Sequence, residues 1–111
     1  TSKDQTMSKQ IEDYIQKNFQ DADLNISITS QHFDLTPAYL SSIYKKQTGG
    51  SLLDYILTVR ITYAKEYLDQ GYSVVEVASM TGFRDSGTFI RAFKKKMGVT
   101  PGQLKKEKPG K

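Results

Sequence analysis

Residues 39–49 of this 111-residue chain, Tyr-Leu-Ser-Ser-Ile-Tyr-Lys-Lys-Gln-Thr-Gly, lie over residues 88–98, Thr-Phe-Ile-Arg-Ala-Phe-Lys-Lys-Lys-Met-Gly, without a gap. Leu40 falls on Phe89, Tyr44 on Phe93, Lys45-Lys46 on Lys94-Lys95 and Gly49 on Gly98. Upstream, Phe33-Asp34-Leu35 falls on Thr81-Gly82-Phe83 after a shift of one residue. Each copy reads as a short helix, a tight turn, then a capped helix with a thin apolar stripe and a basic end. That is the anatomy of a helix-turn-helix, whose second helix lies in a DNA major groove. One such pattern in a helical chain would say little; two copies joined by one long helix say much more.

The rest of the chain fits this frame. Met7, Ile11, Tyr14, Ile15 and Phe19 recur on one face of a first helix, and residues 21–25 read as a loop. Residues 26–34 suit a short helix with Phe33 and either Ile28 or Thr29 turned inward. Thr36-Pro37 supplies an N-cap oxygen and a first helical residue that needs no N–H. Ser51 and Asp54 resemble a weakened capping box before the longest helix. There Leu52, Leu53, Ile56, Val59, Tyr63, Ala64, Tyr67 and Leu68 make a wide apolar face that Gly71 ends. Ser73 and Glu76 form a full capping box, with Val74, Val77 and Ala78 facing inward. Asp85 or Ser86 caps a helix whose buried stripe is Phe89, Ala92 and Phe93, and Thr100-Pro101 starts a last short one. The expectation is an all-α fold of about seven helices with no sheet. Residues 1–5 and 105–111 read as frayed ends.

Composition narrows the function classes. There is no cysteine, which excludes thiolate nucleophiles, disulfides and Cys-based metal sites and suits a reducing cytoplasm. His32 is the only histidine, so a His-based metal site or catalytic triad lacks a second member. It reads as a half-exposed helix residue. No enzyme is indicated. No apolar run approaches the roughly 18 residues of a membrane span. Charge is polarised: residues 1–36 carry −3, residues 37–83 balance, and residues 84–111 carry +7. A basic C-terminal quarter suits a polyanion, although a solvated lysine face with a loose tail would give the same count. Residue 1 is Thr rather than Met, and the chain reads as a piece of a longer protein.

Four segments carry a resemblance to a known family: Thr36–Ser41 with Lys45–Gly49; Arg60-Ile61 with Ala64-Lys65; Gly82–Asp85; and Phe89–Lys95 running to Gly98–Pro101. They resemble the DNA-binding domain of AraC/XylS-type transcription regulators over residues 8–106. The resemblance implies two helix-turn-helix subdomains of homeodomain-like character, residues 8–50 and 72–106, on a connecting helix within 51–71, with 107–111 a basic tail. It implies sequence-specific binding of double-stranded promoter DNA by a bacterial, cytoplasmic protein, with no cofactor. An inducer, phosphorylation or dimerisation function would lie in an N-terminal effector or receiver domain, and RNA polymerase is a candidate further partner. The chain departs from the pattern at Thr29, where an apolar residue is usual, and at Ser42, where many relatives carry Arg.

The outward arc of the second recognition helix is Ser86, Gly87, Thr88, Arg91 and Lys95, with Ile90 beside it. Arg91 alone there has a fork that takes guanine O6 and N7 together, the alternative being an ion pair with Asp85. By resemblance, Ser86, Gly87, Thr88 and Arg91 match base-facing positions of the family. On the first recognition helix the same arc is Ala38, Ser41, Ser42 and Lys45, mostly small residues that discriminate bases poorly. Lys45, Lys46, Lys94, Lys95 and Lys96 wrap around two helices, so only two or three can meet phosphates; Lys46, Lys94 and Lys95 are the candidates. Arg60 reads either as a structural ion pair or as a phosphate contact. Two other functions remain open: a helical protein–protein module with a basic face, and a non-specific nucleic-acid binder.

Overall fold

The computed structural model describes the backbone of residues 3–106 and the side chains of residues 7–104. The expected basic tail, 107–111, lies outside the described residues. Seven helices follow one another with no strand among the described residues: α1 (Lys3–Asn18), α2 (Ile26–His32), α3 (Pro37–Thr48), α4 (Leu52–Asp69), α5 (Val74–Met80), α6 (Ser86–Met97) and α7 (Pro101–Lys106). α1 starts inside, and α7 runs into, stretches whose composition suggested frayed ends.

The repeat is a repeat of backbone geometry. Thr36 caps α3 by accepting the Tyr39 N–H, and Asp85, rather than Ser86, caps α6 by accepting the Thr88 N–H. Both helices end on a left-handed glycine, Gly49 at φ 85° and Gly98 at φ 83°. The turns inside the two motifs close alike. The Leu35 N–H donates to the Ser30 carbonyl at 2.9 Å, and the Phe83 N–H to the Ala78 carbonyl at 3.0 Å. Each closure needs one left-handed residue, which is Asp34 (φ 59°) in the first motif and Gly82 (φ 88°) in the second.

Side chains fill the two frames differently. α5 buries Val77 and Ala78, whereas α2 buries Thr29 and Ser30. Thr29, not Ile28, is the inward residue, and it keeps its hydroxyl satisfied by donating to the Asn25 carbonyl at 2.8 Å. Ser30 does the same towards Ser27 at 2.8 Å. The capping box at Ser73–Glu76 is complete, and Thr100 with Gln103 forms another at the start of α7. At Ser51 only half of the box exists: the Asp54 N–H reaches Ser51 Oγ at 3.0 Å, while the Asp54 carboxylate pairs with Lys96 of α6.

Two cores share α4. The first holds Ile11, Ile15, Phe19, Leu24, Leu40, Tyr44, Leu52, Ile56 and Val59; the second holds Ile61, Ala64, Leu68, Val77, Ala78, Phe83, Phe89 and Phe93. Ile61 follows Val59 by two residues, about 200° around a helix of 3.6 residues per turn. The wide apolar face of the connecting helix is thus two stripes on opposing sides, one for each subdomain. Leu53 belongs to neither and is 56% exposed, contrary to its assignment to the apolar face.

Candidate nucleic-acid interface

The first turn of α6 is built around an open glycine. The Asp85 carboxylate accepts the Thr88 N–H at 2.7 Å, and Arg91 lies back along the helix so that Nη2 is 3.4 Å from Thr88 Oγ1. A Cβ on Gly87 would sit 3.3 Å from Asp85 Oδ1 and 3.6 Å from Arg91 Nη1. The guanidinium is therefore carried towards the N-terminal end of the recognition helix, the end that meets base edges in helix-turn-helix complexes. Hydrogen bonding from Thr88, with Arg91 nearby, holds the Asp85 carboxyl below its usual pKa. Among the ion pairs of the described residues none joins Arg91 to Asp85. Gly87, Thr88 and Arg91 are exposed and Ser86 is half-buried.

On α3, Ala38, Ser42 and Lys45 are exposed and Ser41 is half-buried. Tyr39, outside the expected arc, is 53% exposed in the first turn of this helix. The gap-free overlay of 39–49 on 88–98 contained the signal, since it sets Tyr39 on Thr88 and Ser42 on Arg91. Lys45 and Lys46 lie in the last turn of α3, and Lys94, Lys95 and Lys96 in that of α6. Lys96 is tied to Asp54, whereas Lys45, Lys46, Lys94 and Lys95 are exposed and outside the ion pairs of the described residues. Four cations thus remain to meet an external anion.

Arg60 is neither an ion pair nor a phosphate contact. It is 8% exposed, and its Nε and Nη2 donate to the carbonyls of Phe19 (3.0 Å), Asp21 (2.9 Å) and Leu24 (3.4 Å). Burial lowers its pKa and the Asp21 charge opposes that shift. His32 is exposed and stacks on Tyr14 with ring centroids 4.1 Å apart. Among the described residues no group of His, Asp or Glu is arranged to hold a metal ion, and no helix is long and apolar enough to cross a membrane.

Comparison with known proteins gives the same picture. Residues 29–107 match the family described as "Helix-turn-helix domain". The chain is 34% identical over 89 residues to the uncharacterized HTH-type transcriptional regulator YtdP of Bacillus subtilis, covering 79% of this chain and 12% of that protein. It spans only between 12% and 38% of the length of curated relatives such as YtdP and the transcriptional regulatory protein HptR of Staphylococcus aureus. Among solved structures, the C-terminal domain of AraT, a response regulator from Geobacillus stearothermophilus, superposes with a TM-score of 0.88 at 30% identity, covering 92% of this chain and 85% of that one. The DNA-binding domain of AdpA, solved with a target DNA, shares the fold at a TM-score of 0.82 and 19% identity, with 90% of each chain covered. The chain belongs to the helix-turn-helix family of AraC type.

Proposed function

We propose that this domain binds promoter DNA by setting α3 and α6 into successive major-groove segments, with the two helices contributing unequally. Arg91, oriented by Thr88 beside Gly87 and Ser86, is the principal base reader, through its fork on guanine O6 and N7. Ala38, Ser41 and Ser42 offer contacts to thymine methyls and single acceptors. Lys46, Lys94 and Lys95 contact phosphates, with Lys45 beside them on the arc of α3, which positions the domain and makes affinity salt-dependent. The observation that carries this reading is the pair of recognition helices with the same capped frame, exposed first-turn residues and cationic last turns. No cofactor and no enzymatic step enter. In the longer, cytoplasmic regulator of which we take this domain to be part, an effector or receiver domain supplies the signal and RNA polymerase is a further partner.

Selection of bound sites from a random DNA pool, followed by gel shifts against the selected and a scrambled duplex at two salt concentrations, tests this reading. A selected motif that outcompetes the scrambled duplex at both salts supports it. Equal binding to both means non-specific association through the lysines. No binding to either leaves the basic face to an acidic protein partner.

A further inference from the structure

The two cores of this molecule meet at one residue. Val59 ends the first and Ile61 begins the second, and between them stands Arg60, a buried guanidinium with no carboxylate in contact. Burying such a group is costly unless it is paired or hydrogen-bonded. Here three of its five donors, on Nε and Nη2, are used on backbone carbonyls, those of Phe19, Asp21 and Leu24, all in the segment joining α1 to α2. The other subdomain closes on the same guanidinium. Its carbon lies 5.8 Å from the ring centroid of Phe83, and Gly82 packs so tightly that a Cβ there would fall 2.2 Å from the Phe19 carbonyl oxygen and 2.9 Å from Arg60 Nε. Around this centre Arg84 pairs with Asp23, Gln20 Nε2 donates to the Tyr67 hydroxyl at 3.4 Å, and Phe19 stacks on Tyr63 at 4.4 Å. Each of these contacts joins the end of α1 or the loop after it to residues beyond Arg60.

We infer that Arg60, with the loop of residues 19–24 and the turn of residues 82–84, is a clamp that fixes the relative setting of the two recognition helices, so that the domain measures the spacing between its two half-sites. A connecting helix by itself resists bending, but it does not stop each helix-turn-helix from rocking on its own stripe of apolar side chains. The clamp removes that freedom because the Gly82–Phe83 turn, which immediately precedes α6, rests on the carbonyl of Phe19, which ends the α1 packing of the first half. Arg60 is thus a positioning residue: it touches no DNA, yet it decides whether both readers can engage at once. Two linked sites gain from effective concentration only when the link lets them bind together. The inference rests on the reading of two DNA-binding motifs proposed above, but its mechanical part does not.

Two measurements test it on the 111-residue chain. The first needs no DNA. Because the chain lacks cysteine, Gln31→Cys and Ser79→Cys, exposed and equivalent positions on α2 and α5, take spin labels for a distance measurement. A single narrow distribution that broadens in Arg60→Met supports the clamp; a broad distribution with Arg60 in place, or one unchanged in Arg60→Met, overturns it. The second uses the selected site and the same site with two base pairs inserted between its halves. The unaltered chain should lose about tenfold or more on insertion, while Arg60→Met should lose about threefold or less and bind the intact site about tenfold more weakly, as expected when the second contact is no longer pre-set. Arg60→Lys, which keeps the charge but cannot span three carbonyls, should fall between them. If Arg60→Met does not fold, Arg60→Lys decides: a distance distribution and an insertion penalty both equal to those of the unaltered chain overturn the clamp. Failure of the unaltered chain to prefer any sequence would sink the DNA-binding reading, and the label distances would still judge the clamp.

Discussion

The two helix-turn-helix motifs of this chain have nearly the same backbone and very different side chains. Caps, left-handed exits and turn closures recur bond for bond, from Thr36 and Asp85 at the helix starts to Gly49 and Gly98 at their ends. The residues hung on that frame diverge. The first motif buries Thr29 and Ser30 and presents Ala38, Tyr39 and Ser42; the second buries Val77 and Ala78 and presents Gly87, Thr88 and Arg91. A helix-turn-helix is specified by a few backbone requirements, so the surface is free to change once these are met. Duplicated geometry therefore does not imply duplicated reading.

The largest contrast should appear at the left-handed turn residue. Gly82→Ala forces a Cβ into the Phe19 carbonyl at a positive φ and should cost about 2–4 kcal/mol of stability. Asp34→Ala, at the equivalent turn, loses only conformational tolerance and should cost about 1 kcal/mol. Urea unfolding of both variants checks this, and equal costs would mean that the second turn is not packed against Phe19. Next comes base readout. Arg91→Ala should lose about 1–3 kcal/mol on the selected site and relax preference mainly at one base pair, whereas Ser42→Ala should lose less than about 0.5 kcal/mol. Site selection with both variants would break the asymmetry if Ser42→Ala relaxed a position as strongly.

The third effect is electrostatic. Replacing Lys94 and Lys95 together by Gln should weaken binding to every sequence and lower the salt slope by roughly one to two units. The same exchange at Lys45 and Lys46 measures whether the first motif holds phosphates as firmly as the second, and an unchanged slope for either pair assigns it to solvent. The smallest effect is a gain. Asp34→Gly relieves a side chain held at φ 59° and should stabilise the domain by about 0.5 kcal/mol, read as a small rise in the thermal midpoint. A loss instead would mean that the Asp34 side chain stabilises its own turn.

Much of this molecule was written locally, and so could be read without the fold. Seven helices, their caps at Thr36, Ser73 and Thr100, and their stops at Gly49, Gly71 and Gly98 depend on neighbours within four residues along the chain. The stripes Leu40–Tyr44 and Phe89–Phe93, and with them the outward arcs of both recognition helices, follow from helical period alone. What the sequence could not show is what only distant residues decide. Thr29 is inward because that face of α2 packs on α1 and α3, with its hydroxyl satisfied by the Asn25 carbonyl, while the more apolar Ile28 is left at 40% exposure. Leu53 is outward because α4 splits its apolar residues between two partners on opposing sides. Lys96 is removed from the cationic set by Asp54, 42 residues away. Arg60 bonds carbonyls 36 to 41 residues distant, and a carbonyl leaves no mark on the identity of its residue. Periodicity and capping act through adjacent turns and are carried by residue type. Clamp contacts run through backbone atoms that every residue shares, so only the tertiary structure could determine which cation is structural and which stays exposed.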